Sequence, residues 1–219
     1  MSRTKNSKIK RIYMDHAAAA PMDKRVKKAM EPFWMKNFGN PNALYKEGLI
    51  ARNAVETARE DVAKVLGARA KEIIFTAGGT ESDNLAIFGV ARGNLDIECP
   101  SGHSMSKWHI ITTKFEHHAV LNTCKFLEKK GFEVTYLDVG KEGIVNPKDV
   151  AKELKPETIL VSIMYANNEI GTVQPIREIA KMIRNFKKKN IGSAKQNFSR
   201  FTLPRSAAGS DASQNFASP

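Results

Sequence analysis

Three short stretches of this chain concentrate residue types that do chemistry. In FTAGGTESDNLAIFG, residues 75–89, Gly78, Gly79 and Thr80 follow an apolar run directly and precede Leu85, Ala86, Ile87 and Phe88. TTKFEHHAVLNTC sets Glu116, His117 and His118 after a second apolar run. SIMYANNEIGTVQPI places Tyr165, Asn167, Asn168 and Glu169 after a third. A strand that passes through small residues into a helix brings several backbone N–H groups to one point. The first-turn amides have no partner inside the helix, and the helix dipole leaves partial positive charge beside them. That chemistry suits an anion, and a phosphate group above all. Thr80 followed three residues later by Asp83 predicts an N-cap in a T-x-x-D arrangement. A capped helix after a tight turn is the plainer outcome of the same pattern.

Several alternatives fail on spacing. GGTESDN lacks the glycine spacing of G-x-G-x-x-G and has no G-K-[ST] ending, so it is neither a dinucleotide fingerprint nor a nucleoside-triphosphate loop. Adjacent His117 and His118 cannot easily chelate one metal ion from a regular helix, and no further Cys or His is spaced to help them. The two cysteines, Cys99 and Cys124, are too few for a disulfide framework and are compatible with a reducing cytoplasm. Cys124 lies in the helical run VLNTCKFLEKKGF, where a small buried residue is the expected reading. Cys99 falls in a loop with no basic partner arranged to lower its pKa.

The elements that must position these residues alternate along the chain. EIIFT, WHIITT, FEVTYL and TILVSIM read as short strands. Helices are predicted near 80–92, 117–130 and 147–155, the last with Asn146 as cap and Pro147 at its first position. Val55, Ala58, Val62, Val65 and Leu66 share one face of a helix that Gly67 could end. PMDKRVKKAMEPFW opens on Pro21, which suits a first helical turn. Ile176, Ile179, Ala180 and Ile183 repeat the helical spacing in PIREIAKMIRNFKKK. The fold class is therefore α/β, with a mostly parallel sheet flanked by helices. In such a sheet ligands gather at the carboxyl ends of the strands, where Gly79, Thr80, His117 and Asn168 would meet.

At 219 residues the chain can bury a real core. The basic start, MSRTKNSKIKRIYMD, has no apolar stretch of the kind a signal peptide carries, and no 18-residue apolar run could span a membrane. The net charge of +12 gathers at the two ends, 1–11 and 187–219, which reads as solvated tails rather than a nucleic-acid surface. Residues 93–107 form a loop by composition. Three segments are expected: a basic arm and entry segment over 1–20, a large domain over 21–190, and a low-complexity tail over 191–219.

YMDHAAAAPMD, FGNPNALYKEG, IIFTAGGTESDNLAI, HIITTKFEHHAVLNTC, GFEVTYLDV and TILVSIMYANNEIGTVQPI, taken in order, resemble successive blocks of the cysteine desulfurases, class V pyridoxal-phosphate enzymes. The resemblance implies an incomplete type I aminotransferase-like large domain binding pyridoxal 5'-phosphate. By motif position Gly79 and Thr80 would bind the cofactor phosphate, His117 would stack on the pyridine ring, and Asn168 would bond near the ring hydroxyl. SDASQ resembles the family's Asp-Ala-x-Gln, which would make Asp211 the partner of the ring nitrogen and Gln214 a ring contact. The implied reaction takes sulfur from L-cysteine, giving alanine and a protein persulfide. The implied partners are a sulfur acceptor or iron–sulfur scaffold and a second copy of the chain, in the cytoplasm.

The chain also departs from that pattern. The family's Schiff-base lysine lies in a Ser-x-His-Lys motif, which is not found here, and its sulfur-accepting cysteine and C-terminal small domain lie later still. The isolated chain is accordingly expected to show little or no turnover. A sibling reaction such as selenocysteine lyase, and a nonenzymatic fragment with nucleic-acid-binding basic ends, are the two other readings.

Overall fold

The structure, a computed structural model, describes residues 11–93 and 108–190. The chain divides into two compact units, Met1–Glu56 and Thr57–Pro219, with the division inside one helix. In the first unit, helix α1 (Lys24–Met35) starts from Asp23, whose carboxylate accepts the Arg25 amide at 2.7 Å. Pro21 therefore stands ahead of the helix and not in its first turn, because Asp23 supplies the cap acceptor that a proline cannot. Helix α2 (Lys46–Leu66) follows a turn in which Asn40 Oδ1 accepts the Asn42 amide at 2.9 Å. Gly48 is required there by close approach, since a Cβ would overlap the Ala43 carbonyl.

α2 closes on Gly67 with φ +61°, a conformation that favours glycine. The Gly67 amide reaches Lys64 O at 3.2 Å and the Ala68 amide reaches Ala63 O at 2.9 Å, the paired bonds of a Schellman end. The helical face expected to be apolar is nonetheless open. Val55, Val62, Val65 and Leu66 are all exposed, while the smaller Gly48, Ala51 and Ala63 are the buried residues of α2. Spacing puts residues on one face, but only a packed neighbour removes that face from water.

The rest of the second unit is a three-stranded parallel sheet of order β2-β1-β3, formed by β1 (His109–Thr113), β2 (Glu133–Leu137) and β3 (Thr158–Val161). Helix α3 (Gly79–Gly93) precedes β1, α4 (His118–Glu128) joins β1 to β2, α5 (Pro147–Glu153) joins β2 to β3, and α6 (Ile176–Asn190) follows β3. Asn146 caps α5 through its side chain, which accepts the Lys148 amide at 3.0 Å, with Pro147 in the first turn as the sequence predicts. Every residue of β1 is buried, as expected of a central strand covered on both faces. Ile110 points into a cluster with Ile87 and Ala91 of α3 and Val120, Cys124 and Leu127 of α4. Ile111 points the other way, to Leu137, Val145, Val150 and Ile179 on the side of α5 and α6. This is the α/β architecture read from the sequence.

EIIFT is not a strand. Ala70–Glu72 form a 3-10 turn, and the extended segment after it leaves Ile74 and Phe75 exposed. Among the described residues no strand lies alongside it, and an extended segment without a ladder partner is not a sheet element. The Arg59 guanidinium instead donates to the Ile73 carbonyl at 2.5 Å and lies 5.0 Å from the centre of the Phe75 ring.

His109 ties the sheet together from within. Its Nδ1 lies 2.8 Å from Thr158 Oγ1 on β3, and its Nε2 lies 2.9 Å from Thr135 Oγ1 on β2. Burial first, and the Lys155 charge second, push this imidazole below its ordinary value of 6.5. The fold thus favours the neutral ring, and the unfolded chain takes up the proton more readily. The stabilisation is present above the unfolded value and is lost as pH falls below it. Denaturant unfolding at about pH 5 and about pH 7.5 should show that loss, and a His109→Gln variant should flatten it.

Candidate functional site

The strand order creates a division at the carboxyl end of the sheet. The chain leaves β1 for α4 on one face, while it leaves β3 for α6 on the other. Neighbouring strands whose exits diverge in this way open a crevice, the place where ligands bind in open α/β sheets. The loops bordering it are 114–117 and 162–175.

α3 begins at Gly79, so Thr80 lies inside the first turn and is not the N-cap that its spacing with Asp83 suggests. The Gly78 carbonyl accepts the Ser82 amide at 3.1 Å, which makes Gly78 the residue at the cap position. Glu81 folds back to accept the Ala77 amide at 2.6 Å, and Thr76 Oγ1 lies 2.6 Å from Ser82 Oγ. These contacts hold the turn and leave the first-turn amides of Gly79 and Thr80 without an intrahelical partner. A Cβ built on Gly78 or Gly79 would meet nothing within 4 Å, so the space over this turn is open.

Thr80 and His117 line one open cleft of about 430 Å³, together with Asn84, Phe88, Asn122 and Phe126 from α3 and α4. His117 is the N-cap of α4, and its Nδ1 accepts the Ala119 amide at 3.1 Å. That bond leaves Nε2 as the nitrogen that carries the ring proton. Asn84 was not singled out by the sequence, yet it braces the cleft. Its Nδ2 donates to the Thr80 carbonyl at 2.8 Å and its Oδ1 accepts from the Thr123 hydroxyl at 2.8 Å, joining the α3 amino end to α4. The only advance signal was its position four residues after Thr80.

Asn168 lies on the other loop and is not part of the cleft lining. The two asparagines of the pair divide the work. Asn167 is buried, and its Oδ1 accepts the amides of Glu169 at 2.8 Å and Ile170 at 3.0 Å, which builds the turn. Asn168 is exposed, and its side chain makes no hydrogen bond to a described residue. Asp211, Gln214 and Cys99 lie outside the described residues.

Glu116 connects the two loops, and the sequence reading gave it no role of its own. It is buried, and a single oxygen, Oε1, accepts both the Thr113 hydroxyl at 3.0 Å and the Met164 amide at 2.8 Å. The segment carrying His117 is thereby fastened to the segment that leads into Asn167 and Asn168. Burial pushes the Glu116 carboxyl above its ordinary value of 4.5, against the two hydrogen bonds, with Asp83 adding repulsion. The available signal was an acid placed between a strand and a helix, where charge is normally exposed.

The donor set at the α3 turn fits a phosphate ester: unpaired amides, the Thr80 hydroxyl and open space, with an imidazole on the same cleft. Among the described residues none that lines the cleft is a thiol. Cys124 is fully buried, and burial pushes its thiol up to about 11. A thiol-alkylating reagent should therefore leave Cys124 unmodified in the folded chain and label it only in denaturant, as read by mass spectrometry of the Cys124 peptide. Among the described residues no group of His, Cys, Asp or Glu is placed to hold a metal ion, and no helix is long and apolar enough to cross a membrane.

The cysteine desulfurase IscS of Dictyoglomus turgidum is 51% identical over 175 residues, which are 80% of this chain and 42% of that protein. The putative cysteine desulfurase IscS 1 of Bacillus subtilis is 50% identical over 179 residues, 82% of this chain and 45% of that protein. Among solved structures, a NifS-like protein superposes with a TM-score of 0.75 at 40% identity, covering 82% of this chain and 47% of its own. SspA, solved in complex with cysteine, superposes with a TM-score of 0.73 at 42% identity, over 80% of this chain and 48% of its own. The chain thus spans a little under half the length of these relatives. The family profile described as aminotransferase class-V covers residues 12–204, so it takes in both cleft helices and the whole parallel sheet. With that span matched, this chain belongs to the aminotransferase class-V family.

Proposed function

We propose that this chain carries the phosphate- and ring-binding wall of a cysteine desulfurase. One observation carries the reading: Thr80 and His117 line the same cleft at the amino end of α3, in a chain about half identical to curated cysteine desulfurases. Class-V aminotransferases and cysteine desulfurases depend on pyridoxal 5'-phosphate. When bound, that cofactor supplies the electron sink for breaking the carbon–sulfur bond.

The chain's own residues do the holding. The Gly79 and Thr80 amides and the Thr80 hydroxyl take the phosphate, the His117 ring lies against the pyridine ring, and Asn168 reaches the ring hydroxyl. Asp211 and Gln214 are the proposed further ring contacts. Bonding of Nδ1 to Ala119 keeps the His117 ring in one orientation. The overall reaction is L-cysteine plus an acceptor thiol giving alanine plus a persulfide on that acceptor, which balances without an outside oxidant. The cysteine bound to SspA supports this substrate class. A sulfur-accepting or iron–sulfur scaffold protein and a second copy of the chain are the proposed partners. Because the sequence contains no Ser-x-His-Lys motif, the isolated chain is expected to hold the cofactor reversibly and not to turn over cysteine.

Titration with pyridoxal 5'-phosphate, with pyridoxal and with inorganic phosphate tests the reading. The phosphate ester should bind at least about tenfold more tightly than pyridoxal, and inorganic phosphate should compete with it. Equal affinity for the two aldehydes, or no binding of either, would overturn it.

A further inference from the structure

The basic character that the sequence assigns to flexible ends begins within an ordered element. α6 runs to Asn190, so Lys187, Lys188 and Lys189 belong to a helix. On its outer face Arg177, Lys181, Arg184 and Lys188 recur at spacings of four, three and four residues, and all four are exposed. At about 100° per residue they fall within an arc of about 60°, opposite the buried side of the helix. At 1.5 Å per residue the row is about 16 Å long. The opposite side is occupied, because Ile179 is buried in the core and Ile183 packs against the same cluster. This helix therefore cannot turn its apolar face to a membrane, and the row is held rigidly outward.

Intramolecular physics does not account for the arrangement. Like charges three and four residues apart destabilise a helix, and Arg177 in the first turn opposes the dipole. None of the four forms an ion pair with a described residue. Glu178, the acid of this helix, lies about 90° round from the centre of the row. Lys188, in the last turn, suits the helix dipole, but no ion pair with a described residue offsets the mutual repulsion along the row.

We propose that the outer face of α6 is a docking surface for an acidic helix of a partner protein, with carboxylates at i, i+4, i+7 and i+11. Such a helix repeats the charge spacing of the row, so the two can lie side by side with each cation opposite a carboxylate. The row offers no aromatic residue for base stacking, which counts against a single-stranded nucleic acid. The surface lies on the α6 side of the sheet and uses none of the cofactor-binding residues, so it stands independently of the proposed activity.

The test uses the full chain and two synthetic alanine-rich helical peptides of identical composition. One carries four glutamates at i, i+4, i+7 and i+11, and the other spreads them around the helix. At low salt the striped peptide should bind at least about tenfold more tightly than the dispersed one, and added salt should weaken it. The charge reversal K181E/R184E should reduce that binding by at least about tenfold, and the neutral K181Q/R184Q by less, with helical circular dichroism unchanged. Equal binding of the two peptides would overturn the proposal, as would a charge reversal without effect. Tighter, row-dependent binding of a duplex DNA oligonucleotide would also overturn it, in favour of a nucleic-acid surface.

Discussion

Replacing Glu116 by alanine should destabilise the second unit by about 2–4 kcal/mol, while replacing it by glutamine should cost little or nothing at neutral pH. Both loop contacts converge on Oε1, from the Thr113 hydroxyl at 3.0 Å and the Met164 amide at 2.8 Å. Alanine removes both and leaves the donors facing a small void, so each loses its acceptor without gaining water. Glutamine keeps one carbonyl oxygen able to accept both. It also removes an ionisation that burial opposes. The sign follows from the raised value: the folded carboxyl holds its proton more tightly than the unfolded one. Its contribution is complete below the ordinary value and declines as pH rises through the folded one. The glutamine variant should therefore gain on the parent protein as pH climbs from acid to neutral. Thermal melts of the three proteins across pH would measure this. An alanine variant as stable as the parent would show that the two loops are not fastened through this carboxylate.

Gly79→Asp should move folding and ligand binding in opposite directions. The new side chain has room, since a Cβ at this position meets nothing within 4 Å. A carboxylate in the first turn of α3 complements the helix dipole and should add about 0.3–1 kcal/mol. The same charge would stand where the phosphate group is proposed to sit. At about 5 Å and an effective dielectric constant of about 20, each unit of like charge costs about 3 kcal/mol. Affinity for pyridoxal 5'-phosphate should fall at least about 100-fold, and the affinity for pyridoxal should change far less. A Tm that holds or rises beside lost phosphate-ester binding is the expected pair of results. Unchanged affinity would place the phosphate elsewhere in the fold.

Much of this architecture can be read before folding because it depends on local rules. Three of the four predicted strands form, as do the helices that start at Gly79, at His118 and at Pro147. In each, a period, a cap or a break in pattern lies within a few neighbouring residues. The glycine turn, too, is legible as an anion-binding shape, because small residues before a helix expose amides whatever surrounds them.

What tertiary structure alone decided has a different physical origin. EIIFT has the composition of a strand, but a strand needs a second backbone to bond, and none of the described residues supplies one. Val55, Val62 and Val65 share a face, yet burial depends on what packs against that face and not on the residues that form it. Nothing in YANNE says that Asn167 would build the turn and Asn168 be left facing out. That division follows from the Thr172 carbonyl accepting the Asn167 amide at 2.9 Å across a loop closed by its own end. Glu116 is the clearest case. Its partners lie three residues before it and forty-eight after it. The residue identities determined which groups could act, while long-range pairing between chain segments decided which of them would meet.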